Sequence, residues 1–179
     1  IYTLSLHDAL PISSACRRPS PPRDSASVVM LRDSADGLQV LLMRRHTDSA
    51  VLGGAYVFPG GKVDAADSAP EMLALLDRPL AELHARVAEP ALSPEQAAAF
   101  YVAAAREAAE ESGLLYLQVG AAEIAEHSAA TCERLRAGES FAALLAEHGA
   151  RLDTDALAPW VRWITPRRPS VMNKRFDTR

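Results

Sequence analysis

The sequence predicts an α/β protein on three observations: short aliphatic strands open the chain, an alanine-rich helical region follows, and a strand-like run returns near the end. Ala26–Arg32 (ASVVMLR) and Leu38–Arg44 (LQVLLMR) are separated by DSADG, the composition of an antiparallel hairpin. Ala55–Phe58 (AYVF) reads as a third strand, stopped by Pro59, with Gly60 and Gly61 expected to form a tight, positive-φ turn. From Ala69 to about Arg151 helical patterns dominate, with breaks at Pro79, Pro90, Gly120, Gly138 and Gly149. The best-defined helix is Pro94–Ser112. Ser93 is its N-cap, Pro94 its first residue and Gln96 the partner of a capping box, while Gly113 followed by Leu114 gives a C-terminal stop. Ala158–Thr165 (APWVRWIT) reads as a late strand closed by Pro166. No internal repeat is present.

At 179 residues and 19.2 kDa the chain has room for one domain rather than two independent cores. It has 19 basic and 23 acidic residues, a net charge of −4, which disfavours a nucleic-acid binder driven by phosphate neutralisation. The longest run without Asp, Glu, Lys or Arg, Ser49–Gly61, is too short and too rich in glycine to span a membrane. Cys16 and Cys132 have no metal-ligand spacing and read as reduced thiols of a cytoplasmic protein. Ile1–Ile12 resembles translated adaptor DNA, and Ser13–Arg23 reads as a disordered lead-in, so the folded domain is expected over 26–179. Arg179 follows no terminating element, and the chain is expected to be a fragment cut at both ends.

The chemistry is concentrated at the end of the predicted helix. Glu107, Glu110 and Glu111 are related by i, i+3 and i+4 spacing and share one face. Like charges at that spacing cost about 0.2–0.5 kcal/mol, and acids in the last turns oppose the helix dipole by about 0.3–1 kcal/mol each. The arrangement therefore calls for a cation. Hard oxygen donors suit Mg²⁺ or Mn²⁺; the plainer reading is a solvated acidic face with Arg106 paired locally.

Arg106–Leu114 reads REAAEESGL, and this resembles the helical half of the Nudix box, R-E-U-x-E-E-x-G-U with U apolar. A chance match in a chain of this length is on the order of one in ten thousand or less. The first half of the box, G-x5-E, is similar to Gly61 through Asp67, with Asp67 where the family has Glu. Between Asp67 and Arg106 lie 38 residues where the family has seven, an insertion of 31, expected to be helical over about 69–92. An insert here resembles the long branch of the Nudix hydrolases that includes peroxisomal coenzyme A diphosphatases. So do FPGGKVDAAD before it, and Trp163, Thr165, Pro166 and Arg175–Arg179 (RFDTR) after it. A motif of the shorter coenzyme A-specific members is kept at Leu41, Leu42, Arg45, Gly54 and FPGG, with Ala50 in the place of a second arginine.

The resemblance implies a Nudix-like α/β/α sandwich with a mixed sheet, its C-terminal part truncated, and a metal-dependent diphosphate hydrolase. Glu107, Glu110 and Glu111, with the Gly61 backbone, would hold Mg²⁺ or Mn²⁺, and Arg106 would hold the glutamates in place. Arg45, Gly60, Gly61 and Arg175 would meet the substrate. Coenzyme A or an acyl derivative leads as substrate, ahead of ADP-ribose or another nucleotide sugar. The rival classes are a Nudix-fold binding module without turnover and a helical interaction protein. A small-molecule diphosphate is the expected partner, with no nucleic acid or membrane, and a homodimer as an option.

Other residues are less specific. His46, His84, His127 and His148 have no ligand pairing, and Trp160 and Trp163 read as packing residues. Arg167, Arg168, Lys174 and Arg175 form a basic cluster suited to a solvated loop or to phosphate contact. No Walker A, G-x-G-x-x-G or G-x-S-x-G sequence is present.

Overall fold

The computed structural model describes residues 21–48, 53–118, 121–166 and 175–179. Its strands are short: β1 (Arg23–Ser27), β2 (Leu31–Ser34), β3 (Gly37–Val40), β4 (Met43–Arg44), β5 (Tyr56–Val57) and β6 (Gly60–Lys62). A 3-10 turn (Ala65–Ser68) leads into α1 (Pro70–Leu73), α2 (Leu80–Val87) and the long α3 (Pro94–Ser112). After β7 (Leu117–Gln118) come α4 (Ala121–Arg136), α5 (Phe141–Glu147), β8 (Arg151–Leu152), β9 (Trp163–Ile164) and β10 (Phe176–Thr178).

The principal sheet has the order β6-β1-β10-β9 and is mixed, as expected: β1 runs parallel to β10, and the two outer pairings are antiparallel. Its register places Arg23 opposite Phe176 and, at the other end of β1, Ser27 opposite Gly60. The first expected strand, Ala26–Arg32, is divided in two. Residues 23–27 join the principal sheet, and the hairpin forms later, from Leu31 opposite Val40 to Ser34 opposite Gly37. The division follows burial, since Ala26, Val28 and Met30 face the core on alternate positions while Leu31 and Leu38 are exposed. β1 also begins within the expected lead-in. The sequence RDSAS has little intrinsic β preference, and its strand depends on pairing with residues 153 positions away.

Helix α3 holds the structure together. The Ser93 Oγ accepts from the Gln96 N–H at 3.2 Å, the Gln96 carboxamide oxygen accepts from the Ser93 N–H at 2.8 Å, and Gly113 closes the helix at φ 78°. Ala97–Ala103 are all buried, so this half of the helix is enclosed on every side. Phe100 and Ala103 pack on Ala26 of the sheet, while Ala98, Tyr101, Val102 and Ala105 belong to the helical core with Leu83, Leu135 and Leu144. Alanine at so many positions lets sheet and helices approach closely. Between Asp67 and Arg106 the chain forms α1, α2 and the first turns of α3, burying Met72, Leu76 and Leu83.

Two expectations are corrected. The late strand is only Trp163–Ile164, at the edge of the sheet, and Trp160 and Trp163 are exposed rather than packed, because β9 has a strand on one side only. Gly60 and Gly61 lie in β6 and are absent from the positive-φ residues. Their lack of a side chain serves close approach instead: a Cβ on Gly60 would strike the Ala26 carbonyl oxygen, and one on Gly61 the Glu107 carboxylate. Among the described residues no helix is long and apolar enough to cross a membrane.

Candidate active site at the end of helix α3

Arg106 is the centre of the site. Its Nε donates to Asp67 Oδ1 at 2.9 Å and its Nη2 to Asp67 Oδ2 at 3.0 Å, a two-pronged pair. Nη1 donates to Glu107 Oε1 at 2.9 Å and Glu110 Oε1 at 3.2 Å, and Nη2 also reaches the Lys62 carbonyl at 2.9 Å. Asp64 lies 3.8 Å from the same guanidinium. Asp67 is only 1% exposed, and its Oδ2 also accepts from the Asp64 N–H at 2.8 Å, closing the 3-10 turn that enters α1. Glu111 turns to the sheet, where its Oε2 accepts from the Gly60 N–H at 2.9 Å.

The electrostatics are unbalanced. One guanidinium faces Asp64, Asp67, Glu107 and Glu110, with Glu111 beside them. Burial pushes the Glu107 carboxyl above its usual range; Arg106 opposes this, and Glu110 and Glu111 add to it. Burial works against the charge on Arg106, but Asp67 and Glu107 outweigh it and hold the guanidinium protonated well above its ordinary range. The cation demanded by the helix-end acids is thus partly supplied from the same helix, and an excess of negative charge remains.

The donor set fits a hard divalent ion in its chemistry. Glu107, Glu110 and Glu111 offer carboxylate oxygens, and the missing side chain at Gly61 leaves room for the Glu107 carboxylate against the sheet. The oxygens are not gathered around one point, since among the described residues no three His, Cys, Asp or Glu side chains form a ready ligand set. Glu110 and Glu111 line different clefts. Glu111, with Met43, Arg44, Arg45 and Val57, lines a cleft of about 400 Å³. Glu110, Asp64, Asp67 and Glu71 line a second cavity of about 350 Å³ over Met72, Leu135 and Phe141.

Of the residues singled out in the sequence, Arg106, Glu107, Glu110, Glu111, Gly60 and Gly61 come together, and Arg45 lines the first cleft with Glu111. Arg175 does not join them. It lies at the end of β1 remote from Gly60, where its Nε donates to the Thr165 carbonyl at 2.9 Å. Ala50, Arg167, Arg168, Lys174 and the His127 side chain lie outside the described residues. His46 bonds locally to Asp48, and His84 to the Glu89 carbonyl.

Comparison with known proteins gives the family. The family model described as the NUDT19 Nudix domain matches residues 11–179. The chain belongs to the NUDT19 Nudix domain family. It is 32% identical to the acyl-coenzyme A diphosphatase NUDT19 of Gallus gallus, over 78% of this chain and 46% of that protein. It is 31% identical to the Homo sapiens protein of the same name, over 80% and 47%. The chain therefore spans about half the length of these relatives. The crystal structure of a NUDIX hydrolase from Alicyclobacillus acidocaldarius is similar at a TM-score of 0.60 and 27% identity, covering 89% of this chain and 68% of that one. The mixed sheet with its long glutamate-bearing helix is accordingly a Nudix-type fold.

Proposed function

We propose that this chain carries the active centre of a metal-dependent Nudix hydrolase that cleaves a diphosphate linkage in coenzyme A or an acyl-coenzyme A. The observation that carries the reading is the excess of carboxylates around Arg106, with Glu111 held on the Gly60 N–H and lining a cleft with Arg45. The coenzyme A assignment comes from the relatives, which are named for that activity.

In this proposal Glu107, Glu110 and Glu111, with the Gly61 carbonyl, hold Mg²⁺ or Mn²⁺. Bound there, the ion would supply positive charge to offset the negative charge that develops on the phosphoryl oxygens. Arg106 fixes the Glu107 and Glu110 side chains, and Asp67 fixes Arg106, so the acids are held in place before substrate arrives. Gly60 and Gly61 let the main chain come within reach of the phosphates. Arg45, in the same cleft as Glu111, is the candidate for holding a diphosphate oxygen.

The test is hydrolysis in the presence of Mg²⁺ or Mn²⁺ with coenzyme A, acyl-coenzyme A, ADP-ribose and dinucleoside polyphosphates, beside a Glu111→Gln control. Turnover of coenzyme A compounds that the control loses is expected. Turnover of ADP-ribose alone would move the substrate to the nucleotide sugars. A second reading is a binding module without turnover, which Asp67, standing where the family has Glu, leaves open. Metal or nucleotide binding with no hydrolysis of any substrate would select it.

A further inference from the structure

The last turn of α3 carries Glu110 and Glu111 and no basic residue, so its acids oppose the helix dipole with no cation in the same turn. The turn also ends in main-chain carbonyls that the helix itself cannot pair. The Gly113 N–H donates to the carbonyl of Ala109 at 3.0 Å. The Glu110 carbonyl is taken from outside the helix: Arg136, the last residue of α4, donates to it through Nε.

The two residues before Arg136 anchor it. Arg134 forks to Glu139 at 2.6 and 2.8 Å and to Glu147 of α5 at 2.8 and 3.0 Å. Leu135 is buried in the same core as Ala108 and Ala109 of α3. The end of α4 is thereby tied to both neighbouring helices, and Arg136 acts from a rigid support. Glu110 is gripped twice, at its side chain by Arg106 of its own helix and at its main chain by Arg136 of another. The rest of α3 is secured by its N-terminal capping box and by the buried run Ala97–Ala103, whereas Glu110–Ser112 are only partly enclosed. The bond from Arg136 falls where the helix is held least and where its carboxylates stand.

We infer that Arg136 is a positioning residue for the carboxylate centre. Through the main chain of Glu110 it fixes the last turn of α3, and with it the places of the Glu110 and Glu111 side chains. The inference rests on the hydrolase reading for what those carboxylates hold.

Two measurements test it, Mn²⁺ binding by electron paramagnetic resonance and amide exchange of the metal-free chain by nuclear magnetic resonance, on the wild type, Arg136→Ala, Arg136→Lys and Glu89→Gln. The sign of the change separates two roles. Were Arg136 only a positive charge near the acids, its loss would tighten the binding of a cation. As a positioning residue, its loss should weaken Mn²⁺ binding about tenfold. Exchange of the Gly113 amide should also become faster. Arg136→Lys should restore part of both, and Glu89→Gln, in the ion-pair cluster on the α2–α3 loop, should change neither. Unchanged or tighter Mn²⁺ binding in Arg136→Ala, or unchanged exchange at Gly113, would overturn the inference. Mn²⁺ binding that depends on Arg136, with no diphosphate hydrolysed by the wild type, would overturn the enzymatic reading alone. No Mn²⁺ binding by the wild type would overturn both.

Discussion

Arg106 and Arg179 each lie half-buried among carboxylates, yet Glu107 beside the first and Glu89 beside the second are driven in opposite directions. At Arg179, two guanidiniums, with Arg162, meet Glu89, Asp177 and Asp24, and the Arg179 side chain also stacks 4.3 Å from the Phe100 ring centroid. Arg179 holds the Glu89 carboxyl below its usual range, and Arg162 does the same for Asp177. At Arg106, one guanidinium meets four carboxylates, and Glu107 is pushed up. The first cluster is close to neutral and ties the α2–α3 loop to the sheet. The second keeps a surplus of negative charge beside two clefts, which suits a cation that arrives from outside.

The largest expected effect separates the clusters by activity. Glu111→Gln should lower diphosphate hydrolysis by about 10²–10³-fold in steady-state kinetics, the scale on which one electrostatic stabiliser is lost, with little change in the melting temperature. Next are the two substitutions that remove the two-pronged carboxylate partner of a largely buried arginine. Asp67→Ala and Glu89→Ala should each cost about 3–5 kcal/mol, or about 6–20 °C in a thermal melt. They differ in a second measurement, since Asp67→Ala should also weaken Mn²⁺ binding and Glu89→Ala should not.

Gly61→Ala should have a smaller effect, about 1–3 kcal/mol, because the new methyl group displaces the Glu107 carboxylate from the sheet. Weaker Mn²⁺ binding should accompany it. The smallest effect is on pH dependence. Glu89 and Asp177 are held below the ordinary values of about 4.3 and 3.9, so their stabilisation is complete above about pH 5 and is lost as the pH falls through their folded-state values. Urea unfolding should therefore give a stability that declines below about pH 4, and Glu89→Gln should flatten that decline.

The same contrast explains what could be read from the sequence. Helix α3 and its caps were legible because Ser93, Gln96 and Gly113 act within a few residues of where they stand. The three glutamates were legible for the same reason, their spacing along one helix. The hairpin and the two later strands were legible in part, as β2–β3, β5 and β9, whereas β1, β6 and β10 were not, because segments such as RDSAS are selected by distant partners rather than by local preference. The Arg106–Asp67 pair crosses 39 positions and could be approached only through the family motif, and the Arg179–Glu89 pair crosses 90 with no local pattern at all. The positive-φ turn expected at Gly60 and Gly61 is absent: neighbouring atoms, not backbone angles, demand glycine there.

The central claim is that the carboxylate surplus at the end of α3 is a divalent-cation site, and Mn²⁺ titration followed by electron paramagnetic resonance tests it most directly. The wild-type chain should bind Mn²⁺ saturably, Glu107→Gln and Glu111→Gln should each weaken binding at least about tenfold, and Glu89→Gln should leave it unchanged. Equal Mn²⁺ affinity in all four proteins would contradict the account and reduce the Arg106 cluster to a structural ion-pair network like the one around Arg179.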